Sequence, residues 1–172
     1  MKFYSGFSLS NDKQLFSEYL KESQFTVAGF SYGAIKAFEE VLSTDKRIDT
    51  LQLFSPAFFQ DKPDKFKRTQ KMYHNKDADA YLQNFFKSCF LPAKIDKSVQ
   101  LEEGSEAELA ALLDYEWKKD RLQVLKDRGV KIEVYLGSED KIINVNKAKE
   151  FFLPFATTYM INHAGHTLEI GD

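Results

Sequence analysis

Apolar positions in this chain fall into two alternating rhythms, short continuous runs and stretches with helical spacing. Residues 2–5 and 24–29 are runs of the first kind, closed at Gly6 and Gly29; between them Leu15, Phe16, Tyr19 and Leu20 recur at helical intervals and predict a helix over 11–21. Residues 34–42 follow with Ile35, Phe38, Val41 and Leu42 on one helical face, and 48–54 reads as a buried strand that Pro56 closes. The alternation resumes with a helix ending at Gly129, a strand over 130–136, a helix over 145–152 and a strand over 155–161. Strands separated regularly by helices predict an α/β fold with a mainly parallel sheet of about five strands. Parallel neighbours need crossover connections, and these lay helices over both faces.

Residues 57–119 interrupt this pattern without becoming disordered. Pro63 suits the first turn of one helix, Asp77 can cap a second, and Ser105 with Glu108 has the spacing of a capping box for a third. The block follows a strand end, where open parallel sheets place their ligand crevices, so it is expected to act as a helical lid. A helical layer that only thickens the core is the alternative.

Composition narrows the class. A chain of 172 residues with 43% hydrophobic content can bury one substantial core, which predicts a single domain over 1–172 with the lid inserted at about 57–119. A net charge of -2 leaves no global footprint for nucleic acid or membrane. Cys89 is the only cysteine, so no intramolecular disulfide can form, and no signal segment or long apolar span is apparent; the expected setting is cytoplasmic. Cys89 lies in an apolar stretch without a nearby histidine or glycine turn and reads as a packed thiol.

The sharpest chemical signal is Gly29-Phe30-Ser31-Tyr32-Gly33, a G-x-S-x-G pattern between an apolar strand and an amphipathic helix. Glycines flank the serine because the turn is sharp and packs closely against its surroundings. The following helix aims its free N–H groups at the place where an oxyanion would form. A serine hydroxyl is a poor nucleophile at neutral pH, so a base and an orienting acid must follow. Asp140, in a loop directly after the strand at 130–136, and His166, after the last strand, supply the order Ser, Asp, His. Glu139 competes as the acid and His163 as the base; Gly165 is expected to permit the turn that projects His166. His74 reads as a solvated residue of the lid. Ser5-Gly6-Phe7 ends the first strand, and the backbone amides of Phe7 and Tyr32 are the expected oxyanion donors. This mechanism requires no metal and no organic cofactor.

Phe3-Tyr4-Ser5-Gly6-Phe7, the run from Gly29 through Ser31 to Ala37, Leu53-Phe54-Ser55-Pro56 and Val130-Lys131-Ile132-Glu133-Val134 together resemble the compact BioV-type pimeloyl-acyl-carrier-protein methyl ester carboxylesterases of the α/β-hydrolase superfamily. The similarity spans the whole chain. It implies triad roles for Ser31, Asp140 and His166, a smaller sheet than in ordinary α/β-hydrolases, and demethylation of a pimeloyl ester carried by acyl-carrier protein, a step of biotin synthesis. The G-x-S-x-G and histidine motifs belong to the fold; only the pattern across the chain points to the substrate.

Acyl-carrier proteins are acidic, so this resemblance implies a basic docking face. Lys62, Lys65, Lys67, Arg68, Lys71 and Lys76 stand against Asp64 alone between positions 62 and 76, a local excess of five positive charges. Lys67 and Lys71, like Lys65 and Arg68, are one helical turn apart, which allows a contiguous surface. Phe58, Phe59, Phe85 and Phe86 are candidates for an acyl channel, with core packing as the alternative. Two rival functions remain: a general carboxylesterase or thioesterase for free acyl compounds, and a non-catalytic carrier-binding protein on a hydrolase scaffold.

Overall fold

The structure, a computed structural model, describes residues 1–171. Five parallel strands form the main sheet: β1 (Lys2–Tyr4), β3 (Thr26–Phe30), β4 (Thr50–Phe54), β6 (Lys131–Gly137) and β7 (Thr157–Ile161), hydrogen-bonded in that order. The helices are α1 (Tyr32–Ser43), α2 (Asp64–Lys76), α3 (Ala78–Phe90), α4 (Glu106–Asp114), α5 (Lys119–Asp127) and α6 (Val145–Phe152). Two short strands, β2 (Leu9–Ser10) and β5 (Gln100–Leu101), pair antiparallel beside the sheet.

Alternation along each strand sends side chains to two differently covered faces. Val27, Leu51, Leu53, Ile132 and Val134 point into a wholly apolar layer, where Ala34, Phe38 and Val41 of α1, Leu122 and Leu125 of α5, and Ala148 and Phe152 of α6 meet them. Burying each large side chain here contributes roughly 1.5–3 kcal/mol. The opposite face presents Ala28, Phe30, Phe54 and Tyr135 to Phe16 and to Phe86, Cys89 and Phe90 at the end of α3. Burial pushes the Cys89 thiol well up, so it is an inert packing group.

The helix expected over 11–21 is reduced to a five-residue 3-10 turn, Asp12–Phe16. Side chains of the sheet outcompete the helical ladder for the backbone that follows. Gln52 accepts the Lys21 N–H at 2.9 Å and donates to the Tyr19 carbonyl at 2.9 Å, pinning this strap across the sheet. Glu133, fully buried beside Gln52, takes Lys21, Lys131 and the Tyr135 hydroxyl as partners. Burial opposes its charge, yet these partners prevail and hold the carboxyl below its ordinary value.

Between β4 and α5 the chain builds α2, α3, β5 and α4. Pro63 stands just before α2 as its N-cap; Asp77 accepts the Ala80 N–H at the start of α3, and Ser105 with Glu108 closes a full capping box on α4. Trp117 returns the segment to the sheet, its indole N–H donating to the Ala57 carbonyl at 2.8 Å. His74 is buried rather than solvated: its Nε2 lies 2.9 Å from the Gly104 carbonyl, its ring edge-on to Tyr81. Helical period turns it toward α3 and α4, which residue type alone does not reveal. Among the described residues no helix is long and apolar enough to cross a membrane.

Candidate active site

Ser31 occupies the sharp turn between β3 and α1. Its backbone, at φ 53° and ψ -113°, lies where a non-glycine residue costs of order 1–3 kcal/mol. Neighbouring backbone holds it there: the Ser31 N–H donates to the Phe54 carbonyl at 2.9 Å, and the Ser31 carbonyl accepts from Ala34 and Ala57 at 3.1 Å each. Gly33 is required by contact. A Cβ at this position would collide with the carbonyl oxygens of Tyr4 and Ser5, so only glycine lets β1 and its following loop lie against the first turn of α1.

The loops after β6 and β7 bring the remaining groups to the serine. His166 is wholly buried; its Nε2 lies 3.0 Å from Ser31 Oγ and its Nδ1 2.6 Å from Asp140 Oδ2. That arrangement places the ring proton on Nδ1, where it donates to the carboxylate, and leaves Nε2 to accept from the serine hydroxyl. The other carboxylate oxygen accepts the Ile142 and Ile143 N–H groups at 2.7 and 3.2 Å, so the acid cannot rotate away. Phe30 packs its ring 5.1 Å from the imidazole, centroid to centroid.

The competing pair stands apart from this chain of hydrogen bonds. His163 is 79% exposed and faces Glu139 at 3.3 Å. Gly165 serves a different purpose from the expected turn. A Cβ there would strike the Leu91 carbonyl, so its role is close approach between the histidine loop and the end of α3, while the positive φ values of this loop belong to His163 and Leu168.

Phe7, buried at 2% exposure, follows the loop that Gly33 brings against α1, and Tyr32 opens α1, whose first N–H groups have no intrahelical acceptors. Beside Phe7 opens a cleft of about 570 Å³ between α2, α3 and α4. Phe59, Phe66, Tyr81, Phe85 and Leu113 supply much of its apolar wall, and Ile142, two residues from Asp140, also lines it. The four candidate channel residues therefore divide. Phe59 and Phe85 line the cleft; Phe58 packs on Phe151 and Phe152, and Phe86 on Phe90. Tyr81 and Ile142 had no signal in sequence, because an apolar residue facing a cleft and one facing a core read alike.

Helix α2 forms one rim. Phe66, Gln70, Tyr73 and Lys76 line the cleft, while Lys65 and Arg68 are exposed. Lys71 pairs with Asp114 at 2.6 Å and Lys62 approaches Asp61 at 3.7 Å, so these two charges are partly offset; Lys67 is half-buried.

No family model and no curated protein sequence matches the chain. Solved structures do. An esterase from Exiguobacterium antarcticum superposes with a TM-score of 0.63 at 18% identity, over 82% of this chain and 59% of its own. The carboxylesterase CesB of Bacillus subtilis gives 0.55 at 18% identity over 91% and 57%, and E-2-(acetamidomethylene)succinate hydrolase gives 0.58 at 12% identity over 96% and 84%. The fold is that of the α/β-hydrolases. The chain spans a little over half the length of the two esterases.

Proposed function

We propose that the chain is a serine carboxylic ester hydrolase. The observation that carries this reading is the continuous hydrogen-bonded path from Ser31 Oγ through His166 to Asp140, with Ser31 held on a strained turn. Solved structures of the same fold include several carboxylesterases, which supports the same chemistry.

In the proposed cycle His166 Nε2 takes the Ser31 proton as Oγ attacks the ester carbonyl, and the Phe7 and Tyr32 amides bind the developing oxyanion. His166 then returns the proton to the departing alkoxide, and the alcohol leaves an acyl-enzyme. Water attacks next, with His166 as base and then acid, and Ser31 is released with the carboxylic product. Asp140 orients the imidazole and stabilises its cationic form throughout.

The finer reading is that the substrate is the methyl ester of a pimeloyl chain carried by acyl-carrier protein, with methanol as the leaving group and the cytoplasm as the setting. Three features support it: the chain-wide resemblance to the BioV-type esterases, a predominantly apolar cleft suited to an aliphatic acyl chain, and a basic helix at its rim. Lys65 and Arg68 on α2 are the candidates for meeting the acidic carrier, with Lys62, Lys67 and Lys71 beside them.

The test is methanol release from carrier-bound and carrier-free methyl esters, with Ser31→Ala as control. Comparable kcat/KM on both esters would leave a general esterase and remove the carrier. Failure of a fluorophosphonate to label Ser31, together with no Ser31-dependent turnover on any ester, would leave a binding protein.

A further inference from the structure

The loop from Ser5 to Asn11 is bent enough to need Ser8 and Asn11 at positive φ, 57° and 61°, and its own backbone supplies little support. The Leu9 N–H reaches the Gly6 carbonyl at 3.2 Å. From above, the Glu102 N–H donates to the Ser8 carbonyl at 2.7 Å beside the β2–β5 pair. From below, the Gly6 N–H donates to Asp12 Oδ2 at 2.8 Å.

Asp12 is an unexpected residue for that place. It is fully buried, and its other oxygen, Oδ1, has no hydrogen-bond partner among the described residues. Burial raises its pKa despite the Gly6 bond, so the fold bears a cost for keeping a carboxyl here. Packing does not account for it, because an apolar side chain of similar volume would fill the site without that cost.

The bonded amide gives the reason. Gly6 is the residue of this loop with the widest backbone freedom, and it immediately precedes Phe7. Asp12 holds the peptide before Gly6, while the peptide after it, which carries the Phe7 N–H, is held by the 3.2 Å bond from Leu9 to the Gly6 carbonyl; without Asp12, rotation at Gly6 would be restrained from one side alone and could swing the Phe7 amide. Its surroundings are otherwise tight: the Tyr4 and Ser5 carbonyls lie against Gly33 at the start of α1, and Gly6 lies against the Phe30 ring, one residue before Ser31.

We propose that Asp12 is a positioning residue of the oxyanion hole: by accepting the Gly6 N–H it fixes the chain entering Phe7 and keeps the Phe7 amide directed at the developing oxyanion. The inference rests on the reading of Ser31 as nucleophile and of Phe7 and Tyr32 as oxyanion donors. Asp12 touches neither substrate nor reacting atoms and acts through Gly6.

The experiment compares Asp12→Ala and Asp12→Asn with the unaltered protein on a small neutral ester and on a trifluoromethyl ketone that mimics the tetrahedral adduct. Misplacing one oxyanion donor lowers kcat by on the order of 10²-fold. Asp12→Ala should show that loss with KM changed less than about threefold, and its affinity for the ketone should fall in step with kcat/KM. Asp12→Asn keeps an acceptor for the Gly6 N–H and should recover most of both. If Asp12→Ala fails to fold, Asp12→Leu, near in size and without an acceptor, replaces it.

A folded variant lacking the acceptor but retaining normal kcat would overturn the inference, as would Asp12→Asn performing no better than Asp12→Ala. Either result, with hydrolysis still lost in Ser31→Ala, leaves the esterase reading standing. Hydrolysis undiminished in Ser31→Ala would overturn both.

Discussion

The strand ends that carry Ser31, Asp140 and His166 and the helical wall of the cleft are built on opposite physical terms. At the strand ends, the buried side chains of Ser31, His166 and Asp140 are hydrogen-bonded in series, and Ser31 and Asp140 are also tied to neighbouring backbone. On the wall, α2 shows solvent Lys65, Arg68, Met72 and Tyr73 and is fastened to α4 partly by surface pairs such as Lys71–Asp114. Buried hydrogen-bonded charges are costly to disturb, whereas exposed ones are screened and individually contribute little. On the proposed function, bond-breaking and capture of a carrier should therefore be separable, and four predictions test how cleanly.

The largest effect belongs to the strand ends. Ser31→Ala and His166→Ala should each lower kcat by about 10⁴-fold or more with an unchanged circular dichroism spectrum, because triad members act as a unit. A loss of less than tenfold for either would break the contrast at its stronger end. Asp140→Asn comes next, at roughly 10³–10⁴-fold in kcat. The amide can still fill the site but cannot accept the Nδ1–H and both backbone amides as a carboxylate does, so the imidazole loses its tautomer and orientation.

The wall should respond through association. Lys65→Glu with Arg68→Glu should raise KM for a carrier-bound ester by about tenfold while kcat, and hydrolysis of a small neutral ester, stay within a factor of two. These two positions are cleaner probes than Lys71, whose reversal would face Asp114 and disturb the α2–α4 packing. Added salt should mimic the substitutions, since the Debye length shrinks from about 10 Å at 0.1 M as ionic strength rises. Equal losses on both esters would mean that α2 shapes the cleft and does not capture a carrier. The smallest effect is expected at His163, which follows the last strand yet is exposed like α2. His163→Ala should change kcat by less than about twofold, and a large loss there would move the base away from His166.

Sequence reading and structure part company where contacts at long range replace local pattern. The strap after β1 carries an amphipathic period that predicts a helix, yet Gln52, more than thirty residues away, takes its backbone bonds and leaves only a 3-10 turn. His74 reads as a solvated lysine-rich-helix residue and is buried on Gly104. Asp12 sits in the same stretch of helical period, where an acidic first-turn residue looks like ordinary helix chemistry; its bond to Gly6 exists only because the chain turns back on itself.

The sequence by itself determined the alternation of strands and helices outside 11–21, the three helix starts of the 57–119 segment at Pro63, Asp77 and Ser105, and Ser31, Asp140 and His166 as candidates. Each of these depends on neighbours within a few positions: apolar periodicity, capping side chains, and a serine between glycines where a strand meets a helix. Only the tertiary structure decided which histidine reaches Ser31, which phenylalanines face the cleft and where Asp12 points. Those choices lie in contacts between residues up to 135 positions apart, such as Ser31 with His166, and spacing along a chain carries no measure of distance across a fold.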